Sequence, residues 1–154
     1  MLKLASIFIV AFIVSYLGLG WWSHLPRFVA GGLVSGKLTQ CPGSPNCVCS
    51  DIDSNAGQHG ISPLVLNGKA AAEVWPLVRQ IVSNQGGRVY IDTGSYLHAI
   101  FISSVFRFAD DFELRADGNS IQVRSASRVG YSDLGVNRKR VERIRAEILT
   151  EVGG

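Results

Sequence analysis

The hydrophobic rhythm of this chain changes from one end to the other. Leu4–Trp22, LASIFIVAFIVSYLGLGWW, is uncharged over 19 residues and shows no polar face. At about 1.5 Å rise per residue such a helix is roughly 28 Å long, the thickness of a hydrocarbon core. Between residues 67 and 84 the pattern becomes helical: Val74, Leu77, Val78, Ile81 and Val82 fall on one stripe. Asn67 is the expected cap, Pro76 a kink or first-turn marker, and Gln85-Gly86-Gly87 the stop. From residue 88 the period drops to two. Strands are predicted over 88–92, 96–106, 107–116 and 120–128, with Asp117-Gly118 as the hairpin turn between the last pair. A final helix is predicted over 138–152, with Asn137 as its cap and Val141, Ile144, Ile148 and Leu149 as its apolar stripe.

This order, helix, strand pairs, helix, predicts an α+β domain: one antiparallel sheet of about four strands with two helices packed on one face. The chain divides into an N-terminal transmembrane anchor (1–24), a linker with a cysteine loop (25–60) and the α+β domain (61–154). Alternation sorts the last hairpin by face. Phe108, Asp110, Phe112, Leu114, Ile121, Val123, Ser125 and Ser127 share one side; Arg107, Asp111, Glu113, Arg115, Gln122, Arg124, Ala126 and Arg128 share the other. With Asp117-Gly118 as the loop, Leu114 faces Ile121, Phe112 faces Val123, Asp111 faces Arg124 and Arg107 faces Arg128. A loop at Gly118-Asn119 changes those partners but not the faces.

The apolar N-terminus reads as an uncleaved single-pass anchor. It exceeds the usual apolar core of a signal peptide, no small-x-small cleavage site follows it closely, and Trp21 and Trp22 close it at headgroup level. Gln40 before Cys41 argues against lipid attachment at that cysteine. Lys3 on one side and Arg27 with Lys37 on the other nearly balance, so the charge rule alone does not orient it. The cysteines tilt the expectation towards a periplasmic domain.

Composition adds little beyond this. Apolar residues make up 47% and charged residues 18% of the chain, and the net charge of +3 is mild. The aromatic residues do not interleave with basic ones, so a nucleic-acid partner is not expected. The segment CPGSPNCVCS is punctuated as a loop. Cys41 and Cys47 can close a small ring that leaves Cys49 over; unpaired thiols, or a metal site completed by His59, are the alternatives. The C-x5-C-x-C spacing matches no strong zinc or redox motif.

Charge is concentrated in RSASRVGYSDLGVNRKR, residues 124–140. Arg124, Arg128, Arg138 and Arg140 offer forked donors for a carboxylate or phosphate, and Ser125, Ser127, Asp133 and Asn137 stand among them. Two readings compete. One is an anion-binding loop; the other is an internal network in which Asp110, Asp111 and Asp133 neutralise the arginines. Arg138, Lys139 and Arg140 crowd a helix N-terminus, where cations are disfavoured. His98 is expected in the core, His24 at the interface and His59 in solvent. No nucleophile elbow or nucleotide-binding glycine loop is present.

CPGSPNCVCS and the run FADDFELRADGNSIQVRSASRVGYSDLGVNRKRVERIR resemble the family of domain of unknown function 1499, found in bacteria and plastid-bearing eukaryotes. The resemblance covers residues 38–149. It implies a Cys41–Cys47 pair, because the family usually carries serine at the position of Cys49. It implies no reaction. The expectation is therefore a membrane-anchored, non-enzymatic binding or assembly module without a cofactor or metal. Its arginine loop would meet an anionic small molecule, a lipid headgroup or a membrane protein. The alternative is a hydrolase or transferase that works on an anionic substrate through Asp110 or Asp111.

Overall fold

The computed structural model describes residues 2–25, 30–51 and 57–153. Helix α1 (Leu2–Trp22) is the apolar segment, and from Leu4 onward its side chains stand largely free of protein. A small hairpin follows, β1 (Leu33–Val34) and β2 (Lys37–Leu38). Then come β3 (Cys47–Cys49), a 3-10 turn at Gly57–His59, β4 (Leu64–Val65) and α2 (Ala71–Asn84). Strands β5 (Arg88–Asp92), β6 (Tyr96–Ile102), β7 (Ala109–Asp117) and β8 (Ser120–Ser127) precede α3 (Val136–Gly153).

The α+β class and the antiparallel pairing are as expected, but among the described residues the sheet has six strands rather than about four. Its order is β3-β8-β7-β6-β5, with β4 also paired to β8. Strands β3 and β4 lie end to end along one edge of β8. They are too short, and too rich in loop-forming neighbours, to show a period-two signal of their own. The predicted strand over 96–106 stops at Ile102, and a turn intervenes before β7.

The hairpin register is the second correction. Asp117 pairs with Ser120, so the loop is Gly118-Asn119. Gly118 takes φ +58°, the left-handed angle that suits glycine at the first central position of a tight hairpin turn. The shift places Leu114 opposite Val123, Phe112 opposite Ser125, Glu113 opposite Arg124 and Asp111 opposite Ala126. Arg107 precedes the strand and faces no partner in the ladder. The sorting by face is unaffected, since each partner moves by two residues, one full repeat of the pleat.

Helices α2 and α3 pack on the face that carries Leu97, Ala99, Phe101, Phe112, Leu114, Ile121 and Val123. Val74, Val78, Ile81 and Val82 come from α2, and Val141, Ile144, Ile148 and Val152 from α3. Burying each such side chain contributes about 2 kcal/mol. Val152 takes the place expected for Leu149, which is only half-buried. Helix α2 begins at Ala71 rather than Asn67, because Asn67 (φ +49°) and Gly68 (φ +88°) turn the chain first. Pro76 lies inside α2 on its exposed side, where the carbonyl it leaves without a donor meets water.

Candidate functional site

The basic loop resolves into two clusters on opposite faces of the sheet. On the helix face, Arg140 reaches from the first turn of α3 to Asp110 (Nη2–Oδ2 2.6 Å). Its other amino group donates to Asn137 Oδ1 (2.6 Å) and Ser125 Oγ (3.1 Å), and its guanidinium lies 4.6 Å over the Phe101 ring. Asn137 is fully buried. Its amide donates to Ser127 Oγ and to the carbonyl of Asn46, and Ser125 donates to its oxygen.

Asn137 is therefore not the helix cap. Asp133 takes that role: its carboxylate accepts from the N–H groups of Gly135 (3.0 Å) and Asn137 (2.7 Å). A carboxylate at this place also offsets the crowded cations. Arg138 is satisfied by the carbonyls of Gln58 and Gly60.

On the other face, Arg128 grips Asp111 with two parallel bonds (2.9 and 2.7 Å), and His98 Nε2 stands 2.8 Å from the same carboxylate. Burial pushes Asp111 upward, but the hydrogen bonds and charges of His98 and Arg128 prevail and hold its carboxyl below the usual range. Glu113, fully buried, takes Arg124 (2.7 Å), the Tyr96 hydroxyl (2.8 Å) and the N–H of Gly32 (2.8 Å). Burial, reinforced by Glu113, raises the Tyr96 phenol. Asp51 joins Arg115 to the N–H of Leu38 and so fastens the β1–β2 hairpin over this face. His98 is buried, as expected, but its partner is the ion-pair network rather than the apolar core. Asp110 and Asp111 are neighbours in sequence whose side chains leave the strand on opposite faces, so the sheet separates them.

The cysteine loop explains how the cluster around Asn137 is held. Cys41 and Cys47 form a disulfide, and Cys49 is a buried free thiol. Within the ring, Ser44 bonds the Asn46 side chain, whose amide donates to Gly130 O (2.6 Å). The Asn46 carbonyl accepts from Ser127 N and Asn137 Nδ2. His59 lies part-buried with Nδ1 3.0 Å from the Cys47 carbonyl, and not in open solvent. His24 meets the carbonyl of Arg107 at 2.7 Å.

A cleft of about 430 Å³ opens beside this cluster. Tyr16 and Leu19 of α1 form one wall, and Phe108, Val129, Tyr131 and Val136 form the others. Its polar lining is Ser103, Asp110, Ser127, Ser132 and Asp133. Of the residues singled out from sequence, Asp110, Ser127 and Asp133 border the cleft. Ser125, Asn137 and Arg140 stand behind it, in the network that holds Ser127 and Asp110. Arg124 and Arg128 belong to the cluster on the other face, and Arg138 is turned to the Gly57–His59 segment. The α1 residues were missed because a membrane-spanning pattern gives no sign of contact with the domain. Asn46 was legible only as part of a turn.

The family model described as Protein of unknown function (DUF1499) matches residues 37–148. The chain belongs to this family. The match starts at β2 and ends within α3, so the DUF1499 unit includes the cysteine ring as well as the arginine loop. No curated protein and no solved structure matches the chain.

Proposed function

We propose that this DUF1499 protein is a membrane-anchored binding module that holds an amphipathic molecule in the cleft between α1 and residues 127–136. The observation that carries this reading is the lining of the cleft. Its walls are aromatic and aliphatic, and one wall belongs to the helix that is long and apolar enough to cross a bilayer. Tyr16 lies six residues before Trp22, about 9 Å deeper along the helix axis. An acyl or isoprenoid chain can therefore run from the bilayer along α1 into the cleft. The polar end meets two carboxylates and three serine hydroxyls. That surface suits a headgroup with hydroxyl or ammonium donors, because each carboxylate and hydroxyl oxygen keeps lone pairs beyond those used by Arg140 and the α3 amides, whereas the arginines nearby are engaged by acids or carbonyls. The Cys41–Cys47 disulfide supports an oxidising, periplasmic side for the folded domain in this reading.

The test is native mass spectrometry of the full chain released gently from membranes, beside Val129→Trp, which fills the cleft. The reading expects a donor-bearing amphiphile on the wild type and its loss from the folded variant. Equal lipid on both proteins, or none on either, refutes it. A bare anion retained by the wild type would return the search to the arginine loop.

A further inference from the structure

The C-terminal end of α1 packs against the domain. Ser23 Oγ accepts from the N–H of Ala109 (3.0 Å), and Arg128 reaches the carbonyl of Ser23. The Tyr16 ring lies 4.9 Å from Phe106 and 6.1 Å from Phe108. Gly20 presses against the carbonyl of Phe106 so closely that a Cβ there would sit 1.8 Å from its oxygen. Residues 103–108 thus descend alongside the last turns of the apolar helix.

This end of the domain exposes large apolar side chains that the fold does not use. Leu134 is 86% exposed, Tyr131 78% and Val105 71%. All three stand on the loops that border the α1 cleft. Above them, Val136, Lys139 and Arg143 follow one another on one side of α3 at helical spacing. The side chains of Lys139 and Arg143 are exposed and have no ion-pair or hydrogen-bond partner among the described residues. An apolar tip with cations one level higher, continuous with a span-length helix, is the arrangement that suits an anionic bilayer surface.

We propose that residues 103–108 and 131–136 form a second membrane contact. Val105, Tyr131 and Leu134 enter the bilayer interface beside α1, while Lys139 and Arg143 lie against anionic headgroups. This inference rests on α1 being the membrane anchor, and the experiment reports on the two separately. Single cysteines carrying a polarity-sensitive fluorophore are placed at Phe8, Val105, Leu134 and Val65 of the full chain, each in a Cys49→Ser background. Val65 serves as the control because it is exposed yet pairs with Ser120, at the opposite end of β8. The proteins are reconstituted in vesicles of phosphatidylcholine with phosphatidylglycerol that contain lipids spin-labelled at shallow or deep positions.

The expected result is deep quenching at Phe8, shallow quenching at Val105 and Leu134 with emission lowered about twofold, and none at Val65. Lys139→Glu with Arg143→Glu should reduce the Leu134 quenching only when phosphatidylglycerol is present. Quenching at Phe8 with Val105 and Leu134 unquenched overturns the second contact and leaves the anchor standing. The same is true if those labels are shielded but unquenched, which would mean that protein covers them. Absence of quenching at Phe8 removes the anchor and this inference together. Indifference to phosphatidylglycerol overturns the assignment of Lys139 and Arg143.

Discussion

Arg140 of α3 and Asp110 of β7 meet across the helix–sheet interface at 2.6 Å, and both are almost completely buried. Removing one partner strands the other charge away from water. Arg140→Ala should therefore cost about 3–5 kcal/mol of stability. Arg140→Lys keeps the charge but loses the fork that also serves Asn137 and Ser125, and should fall between the two. Urea unfolding of the full chain in detergent micelles measures both. A loss below about 1 kcal/mol for Arg140→Ala would show that Asp110 finds water or a proton instead.

Asp111 links stability to pH. Its carboxyl is held below its ordinary value of 3.8, so the folded state binds its proton less readily than the unfolded chain does. The stabilisation is complete above that value and is lost as pH falls through the lower, folded one. Asp92 and Asp117 are shifted in the same direction, so their losses fall in the same acid range. Unfolding midpoints should drop on acidification below about pH 4. Asp111→Asn should be less stable at neutral pH and show a shallower acid slope. An unchanged slope in that variant would exclude Asp111 as a contributor.

The cysteines are expected to differ sharply in behaviour. Reduction of Cys41–Cys47, or Cys41→Ser with Cys47→Ser, should lower stability by about 2 kcal/mol, as a short ring predicts. It should also loosen the Asn46 contacts with Gly130 and Ser127, visible as faster amide exchange at residues 127–130. Cys49 lies fully buried, and burial raises its thiol above the ordinary range. Maleimide should label it only after unfolding. Rapid labelling of the native protein would contradict its placement in β3.

Gly20 and Gly18 make a matched pair on α1. A side chain at Gly20 collides with the backbone of Phe106, whereas one at Gly18 meets nothing within 4 Å. Gly20→Val should separate the helix from residues 103–108 and expose that segment to proteolysis. Gly18→Val should leave the digestion pattern of the wild type. Identical digestion of both variants would mean that the junction is not packed in this way.

The parts of the fold that were legible in sequence are those with long, regular patterns. The apolar run, the stripe of α2 and the alternation over β7 and β8 each repeat often enough to impose one element. The hairpin register was not legible, because Asp117-Gly118 and Gly118-Asn119 both offer turn chemistry and differ by a shift that preserves the faces. Strands β3 and β4 were missed for a different reason: two or three residues carry no period, and only pairing with β8 makes them strands. For the candidate site, composition gathered Asp110, Ser127 and Asp133 because polar residues cluster there. It gave no sign of Tyr16, Leu19 or Phe108, whose apolar character is already accounted for by the membrane or the core.

The end-to-end placement of β3 and β4 on β8 bears on how the molecule resists self-association. A sheet margin tiled by two short pieces offers an incoming strand no uninterrupted row of amides and carbonyls. At the other margin, β5 is broken by a bulge between Val89 and Ile91 and opens with Arg88. Neither side presents a straight template of useful length, so growth of the sheet from one molecule to the next is blocked by backbone geometry at both margins.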